Sequence, residues 1–515
     1  MRGNDVRHRR LSRRALAFLA LFVSLVAPVV AEETGSLVGR VREHRLANGL
    51  TVLALHRPGA PTVSLQMTFL AGGVDEPSGR TGMAHMLEHL LFKGTTTLGT
   101  RDWAREKPLL QAMEEAGNAL DEERRRGEAA DPAKVEKLRE RLSELQKEHR
   151  PLVVKDEIDG IYTRSGAVGF NASTSADLTS YTVSLPANRL ELWARIESER
   201  MADPVLREYY AERDVVVEER RQRYDADPSG KLYETLLSAA FVAHPYRRPV
   251  IGWPSDVETL EISDTLAFFR AYYGPDNAVV AAVGDVDPDA FFTLVDRYFG
   301  SLSPRGSPRR LITAEPPQAG PRRAEVVFDA EPRLIVAYHK PTLPHRDDYV
   351  FDVIESLLTE GRSSRLVREL VDRQRVAVSV DAVNGTPGAR YPNLFTLFLT
   401  PAGGVDTAAV EAALEAQLGC LAAEPPSREE LDRVIRRLEA SRVKRLISNR
   451  ALAGELAYFQ TVAGDWRYVE EHPKVLATIT PEEVSQVARR YFTPENRTTA
   501  LLRPPARPAE QEQKP

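Results

Sequence analysis

The chain has 515 residues, 42% of them hydrophobic and 28% charged, with 69 basic against 74 acidic residues and a net charge of −5. That length implies two or more packed domains, and the apolar content excludes a largely disordered chain. A single cysteine, Cys420, excludes an intrachain disulfide framework, Cys-rich zinc sites and iron–sulfur clusters, and the charge balance argues against nucleic-acid binding.

Arg2, Arg7, Arg9, Arg10, Arg13 and Arg14 precede an apolar run from Ala15 to Val30, with small Val29 and Ala31 just before Glu32. A basic start, an apolar stretch and a small-residue exit identify residues 1–31 as a secretory signal peptide. Ser12-Arg13-Arg14 leaves the general and twin-arginine export routes both open. Removing the segment takes away six Arg and one Asp and leaves 63 basic against 73 acidic residues. The run is short for a bilayer span and no later segment reaches that length, so no stable membrane span is expected after cleavage. Export without disulfides suits a bacterial periplasm.

Beyond the signal, Glu43–Leu46, the turn dipeptide Asn48-Gly49 and Leu50–Leu55 predict a hairpin, and Val63–Phe69 alternates as a half-buried strand does. Residues 82–94 predict a helix. Residues 103–149 are dense in Glu, Arg, Lys, Leu and Ala with a break at Asp131-Pro132. They predict a solvent-exposed helical hairpin, dispensable for metal binding, within a charged insertion of about residues 103–160. Strands at Phe170–Thr174 and Ser180–Leu185 follow, then helices near 188–201 and 204–224 and a strand at Ala278–Gly284. The stretch from 301 to 320, rich in Pro, Gly, Ser and Arg, predicts a linker. Tyr272-Tyr273-Gly274-Pro275-Asp276-Asn277 before it and Tyr491-Phe492-Thr493-Pro494-Glu495-Asn496 after it both lead into apolar segments. A duplicated α+β domain is therefore expected, with copies at 40–300 and 321–505 and a disordered tail at 506–515.

Gly82-Met83-Ala84-His85-Met86-Leu87-Glu88-His89-Leu90-Leu91-Phe92 holds the chemistry. From Met83 to Phe92 only His85, Glu88 and His89 are ionisable, so a helix here is expected to be buried and its polar side chains to need partners. His85 and His89, four apart, leave one face one turn apart, as two ligands of a tetrahedral zinc do, and Glu88 borders that face. The bland alternative is a pair of core histidines bonded to backbone carbonyls. A catalytic zinc usually has three protein ligands, so a third is expected from another helix. In 205–224, Glu212, Val215, Val216 and Glu219 form one helical stripe with an apolar middle, which selects Glu219 as ligand and Glu212 as its outer neighbour.

These residues resemble the pitrilysin/insulinase peptidases, a family that includes the mitochondrial processing peptidase, whose inverted zinc motif reads as His85-Met86-Leu87-Glu88-His89 does here. Asn48-Gly49-Leu50, Ala71–Pro77 and Leu91–Thr95 fit as well. Gly169-Phe170-Asn171-Ala172-Ser173-Thr174 looks like the family's substrate-binding edge strand, and Glu212–Glu219 like its third-ligand helix. The resemblance spans roughly 44–505. It implies two homologous α+β domains around a chamber, each a mainly antiparallel sheet with helices packed on one face.

It further implies an exported endopeptidase with one Zn²⁺ per chain on His85, His89 and Glu219, Glu88 as general base toward a metal-activated water, and a peptide strand beside Asn171 and Ala172. Two features depart from the family. The gap of 130 residues from His89 to Glu219 is unusually long. Val371 and Val378 stand where active members carry an Arg and a Tyr. This departure predicts a heterodimer with a homologous exported subunit that supplies the pair, a homodimer being the runner-up. It also keeps open a non-catalytic or weakly active peptide-binding subunit.

Overall fold

The computed structural model describes residues 36–306 and 312–505. The signal-peptide segment 1–31, the tail 506–515 and residues 307–311 of the linker lie outside the described residues. Residues 36–41 belong to a small separate unit, a turn in which the Arg40 and Val41 N–H groups bond the Leu37 carbonyl.

Within 42–505 the strands form two sheets. The first contains β1 (Arg42–Arg45), β2 (Thr51–His56), β3 (Thr62–Phe69), β4 (Val168–Thr174), β5 (Thr179–Pro186) and β6 (Ala278–Gly284), in the order β1-β2-β6-β3-β5-β4. The second contains β7 (Arg322–Val327), β8 (Arg333–Lys340), β9 (Ala377–Thr386), β10 (Asn393–Pro401) and β11 (Arg497–Arg503), in the order β7-β11-β8-β10-β9. Neighbours are antiparallel except β2–β6 and β7–β11, the equivalent pair in each half. The unbroken apolar β6 is wholly buried, as a central strand covered on both faces requires, whereas polar β1 sits at an edge. The two turn segments singled out by sequence repeat in atomic detail. Asn277 donates its side-chain amide to the Leu70 and Tyr272 carbonyls, and Asn496 donates to those of His339 and Tyr491.

The helices that pack on these sheets and carry the site include α1 (Met83–Leu90), α2 (Trp103–Arg125), α3 (Pro132–His149), α4 (Tyr209–Arg220), α5 (Pro228–Ala240), α6 (Ile262–Tyr272), α7 (Arg346–Thr359), α8 (Asn449–Val462) and α9 (Pro481–Tyr491). Helices α1, α4 and α6 share a core with Val63, Leu65, Met67 and Phe69 of β3 on one face of the first sheet, and α7 and α9 share a core with the second. Each sheet also receives one helix from the opposite half on its other face. Val279, Ala281 and Val283 of β6, pointing away from the first core, are buried where α8 packs across β3 and β6 through Leu452, Ala453, Leu456 and Ala457. Reciprocally, Leu232, Leu236, Leu237 and Ala240 of α5 cover Ile335, Ala337, Ala500 and Leu502 of the second sheet. Burying Leu452 and Leu456 contributes roughly 3–6 kcal/mol, so the exchange ties the halves together.

The charged hairpin is docked rather than simply solvated. Helices α2 and α3 present Met113, Leu120, Leu142 and Leu145 to the first core. Glu106, wholly buried, accepts from Arg207 at 2.7 and 3.0 Å and lies 2.7 Å from His149 Nε2. Asp121 accepts from Arg213 of α4 at 2.6 and 3.2 Å. Composition averages these buried acids into an apparently hydrated surface; the arginines that hydrogen-bond them, Arg207 and Arg213, lie outside the segment.

Candidate metal centre

Helix α1 is held at its start by a carboxylate. Glu76 accepts the Gly82 and Ala84 N–H groups at 2.8 Å each, satisfying donors that the first turn leaves free. Burial pushes its carboxyl up to about 8 despite those bonds. Gly82 has φ +93°, and a Cβ there would meet the Ile251 carbonyl, so the entry to the helix requires glycine. Met83, Ala84, Met86, Leu87 and Leu90 bury the rest of the surface and leave His85 and His89 facing α4.

Helix α4 supplies the acids. Val216 is wholly buried, but Val215 is 49% exposed, so the buried stripe runs through Glu212, Val216 and Glu219 and omits Val215. Glu219 Oε2 lies 3.7 Å from His85 Nε2 and 3.5 Å from His89 Nε2. These separations are too long for hydrogen bonds and close to the roughly 3.4 Å edge of a tetrahedron with bonds of about 2.1 Å. His85, His89 and Glu219 are the one group of three or more potential ligands brought within 4.8 Å among the described residues. His85 Nδ1 is buried with no hydrogen-bond partner. A buried ring unbonded at both nitrogens is costly unless Nε2 ligates a cation, and the donor set fits zinc. Burial, with the His89 and Arg223 charges, brings His85 down to about 3, leaving its lone pair available.

The surroundings orient this group. Glu212 Oε2 lies 3.4 Å from His89 Nδ1, and its Oε1 is 2.6 Å from Lys93 Nζ, so Glu212 stands behind His89, outside the group of three. Burial opposes charge on His89, but the Glu212 and Glu219 carboxylates outweigh it and raise the imidazole. Glu88 accepts a 2.6 Å hydrogen bond from Thr174 on β4, and burial raises its carboxyl against that bond. Asn171 and Ala172 lie on the same strand, which is a free sheet edge. Val371 packs against the second core and Val378 is 63% exposed on β9.

Sequence reading missed three contributors. Arg223 stands four residues after Glu219, a spacing that places it on the functional face, and Lys93 lies in the turn just past the end of α1. Arg223 Nη1 holds Glu219 Oε1 at 2.8 Å, leaving Oε2 toward the imidazoles. It sits in a π-helical turn, Arg221–Asp225, against whose Arg223 carbonyl Gly230 packs without room for a Cβ. Thr174 becomes visible only once β4 lies beside α1.

A family model described as "Insulinase (Peptidase family M16)" matches residues 51–113 and 134–253, and one described as "Peptidase M16 inactive domain" matches 259–438. The unmatched stretch 114–133 falls in the α2–α3 hairpin. "Zinc protease PqqE" of Helicobacter pylori is 30% identical over 472 residues, 89% of this chain and 92% of that protein. A crystal structure of a protease from Helicobacter pylori superposes with a TM-score of 0.74 at 27% identity, covering 90% of this chain and 99% of that one. The first half of the periplasmic protease PqqL from Escherichia coli has the same fold, with a TM-score of 0.67 at 17% identity, covering 90% of this chain and 92% of that one. The likeness covers 47% of the whole PqqL chain. Among the described residues no helix is long and apolar enough to cross a membrane.

Proposed function

The chain belongs to the insulinase (peptidase M16) family, and on that premise we propose that it is an exported zinc endopeptidase acting on peptides or unfolded protein segments. The observation that carries this reading is the convergence of His85, His89 and Glu219 beside Glu88, with no hydrogen bond between them to explain it. Zinc bound there supplies Lewis-acid chemistry, polarising a peptide carbonyl and acidifying water. The protein's own groups do the rest. Glu88 takes the proton of the attacking water and returns it to the leaving amine, with Thr174 fixing the carboxylate at Oε2. The edge of β4 aligns the peptide by main-chain hydrogen bonds beside Asn171 and Ala172. Glu212 and Lys93 hold His89, and Arg223 holds Glu219.

Export to the periplasm is part of the proposal. It is supported by the basic and apolar pattern of residues 1–31 and by relatives of this fold described as periplasmic. So is a partner. The likeness spans most of the first half of PqqL but less than half of the whole chain, and the two halves of this chain interlock through α5 and α8. We therefore assign completion of the chamber to a homologous exported subunit carrying the Arg and Tyr absent at 371 and 378, with a second copy of this chain as runner-up.

One purification tests these points. The isolated chain should bind one zinc and cleave an unstructured peptide slowly, with chelator abolishing cleavage and the homologous subunit accelerating it. E88Q should keep zinc and lose hydrolysis. Full metal occupancy without cleavage under any condition would favour the peptide-binding subunit instead, and E88Q with substantial turnover would remove Glu88 from its role.

A further inference from the structure

The substrate edge is touched by the other half of the chain. Strand β4 loses regular register against β5 between Val168 and Asn171, and Gly169 there has φ +64°. The guanidinium of Arg450 fills the space that a Cβ on Gly169 would occupy, with Nη1, Nη2 and Cζ all against the glycine. Arg450 is the second residue of α8, whose start is capped by Ser448 and whose apolar face is fixed on β3 and β6. Its backbone is therefore anchored while its side chain is exposed, and among the described residues it has no hydrogen-bond or ion-pair partner. A planar guanidinium laid on the backbone of a free edge strand is placed to meet whatever pairs with that strand. Five residues separate Gly169 from Thr174, which bonds Glu88, or about 16 Å along a strand.

We propose that Arg450 is a carboxylate subsite for the peptide, so that substrates carry an acidic side chain or a free C-terminus about five residues from the bond that is cut. This rests on the peptidase reading. A guanidinium matches a carboxylate with two parallel hydrogen bonds, which a main-chain carbonyl cannot return. Gly169 is then explained twice over: any side chain there would displace the guanidinium, and the backbone conformation itself favours glycine.

The test uses fluorescein-labelled dodecapeptides with Gln throughout or one Glu at successive positions, each as free acid and as C-terminal amide. Binding to full-length E88Q is read by anisotropy, and the wild type locates the scissile bond by mass spectrometry. The expected result is about fivefold tighter binding when one carboxylate lies four to six residues from the cut. That preference should disappear in R450A, persist in part in R450K, and become a penalty in R450E. Loss of the effect on amidation alone identifies the terminus as the carboxylate; persistence identifies the side chain. An unchanged preference in R450A, or one in another register, overturns the role of Arg450 while leaving the peptidase reading intact. Failure of every peptide to bind overturns both.

Discussion

Replacing Asp121 by Leu tests whether the charged hairpin is part of the metal centre's support. Asp121 is 1% exposed and holds Arg213, itself 5% exposed, at 2.6 and 3.2 Å. The guanidinium also donates to the Leu260 carbonyl and stacks on Tyr210, so it cannot swing into water without breaking α4 from its surroundings. D121L therefore strands a buried cation, a loss of about 3–5 kcal/mol, against a total stability of roughly 5–15 kcal/mol for a domain. The companion D121L/R213M removes both charges and should recover most of that loss, because a well-packed apolar pair can match a buried ion pair. Urea unfolding of the zinc-free protein measures all three, and zinc affinity measured alongside should fall and recover in parallel, since Glu212 and Glu219 flank Arg213. D121L within about 1 kcal/mol of wild type would refute the reasoning and restore the expectation of a dispensable hairpin. Conversely, exchanging Glu106–Arg150 for a short linker is expected to cost stability, because it removes Glu106 and Asp121 together and uncovers the core beneath Leu120 and Leu145.

Two further outcomes follow from the centre's surroundings. R223M should raise the zinc dissociation constant about tenfold in competition with a chromophoric chelator, with R223K restoring part of it, because Arg223 fixes Glu219 Oε1; an unchanged constant would show that Glu219 needs no such hold. Glu76, held at about 8 against an ordinary 4.5, binds its proton more tightly folded than unfolded, so the stability linked to it is fully present below pH 4.5 and declines as pH rises through 8. E76Q should therefore gain on wild type between pH 5 and 8.5, by roughly 3–5 kcal/mol; parallel urea midpoints across that range would contradict the burial argument.

The grouping of these side chains was legible in the sequence because their spacing is local. His85 and His89 lie on a segment otherwise apolar, and Glu212 and Glu219 sit seven apart on one helix, so helical spacing alone brings each pair to one face. The strands at Val63–Phe69 and Ala278–Gly284 were legible for the same reason. Long-range pairing was not. The acids of α2 look hydrated until Arg207 and Arg213 are brought to them, and Val215 looks equivalent to Val216 until packing chooses one side of the helix. Nothing in the periodicity of α5 or α8 says that each serves the other half's sheet, since an apolar stripe records only that it is buried.

Duplication also shows how the two halves differ at equivalent positions. Gly94 and Gly361, both with positive φ, follow α1 and α7, and aligning the helices on them puts Asp352, Glu355 and Ser356 where His85, Glu88 and His89 stand. The scaffold persists: Glu355 accepts a 2.7 Å bond from the Asn384 N–H on edge strand β9, as Glu88 accepts from Thr174 on edge strand β4. Burial likewise raises Glu355, to about 7. The ligands do not persist. Ser356 turns to Glu360 at 2.6 Å, and Asp352 lies 2.7 Å from His472, so neither faces a third donor. A carboxylate poised beside a free edge therefore belongs to the architecture and appears in both halves. The imidazole pair of His85 and His89 that meets Glu219 belongs to the first half, and among the described residues only there do three potential metal ligands come together.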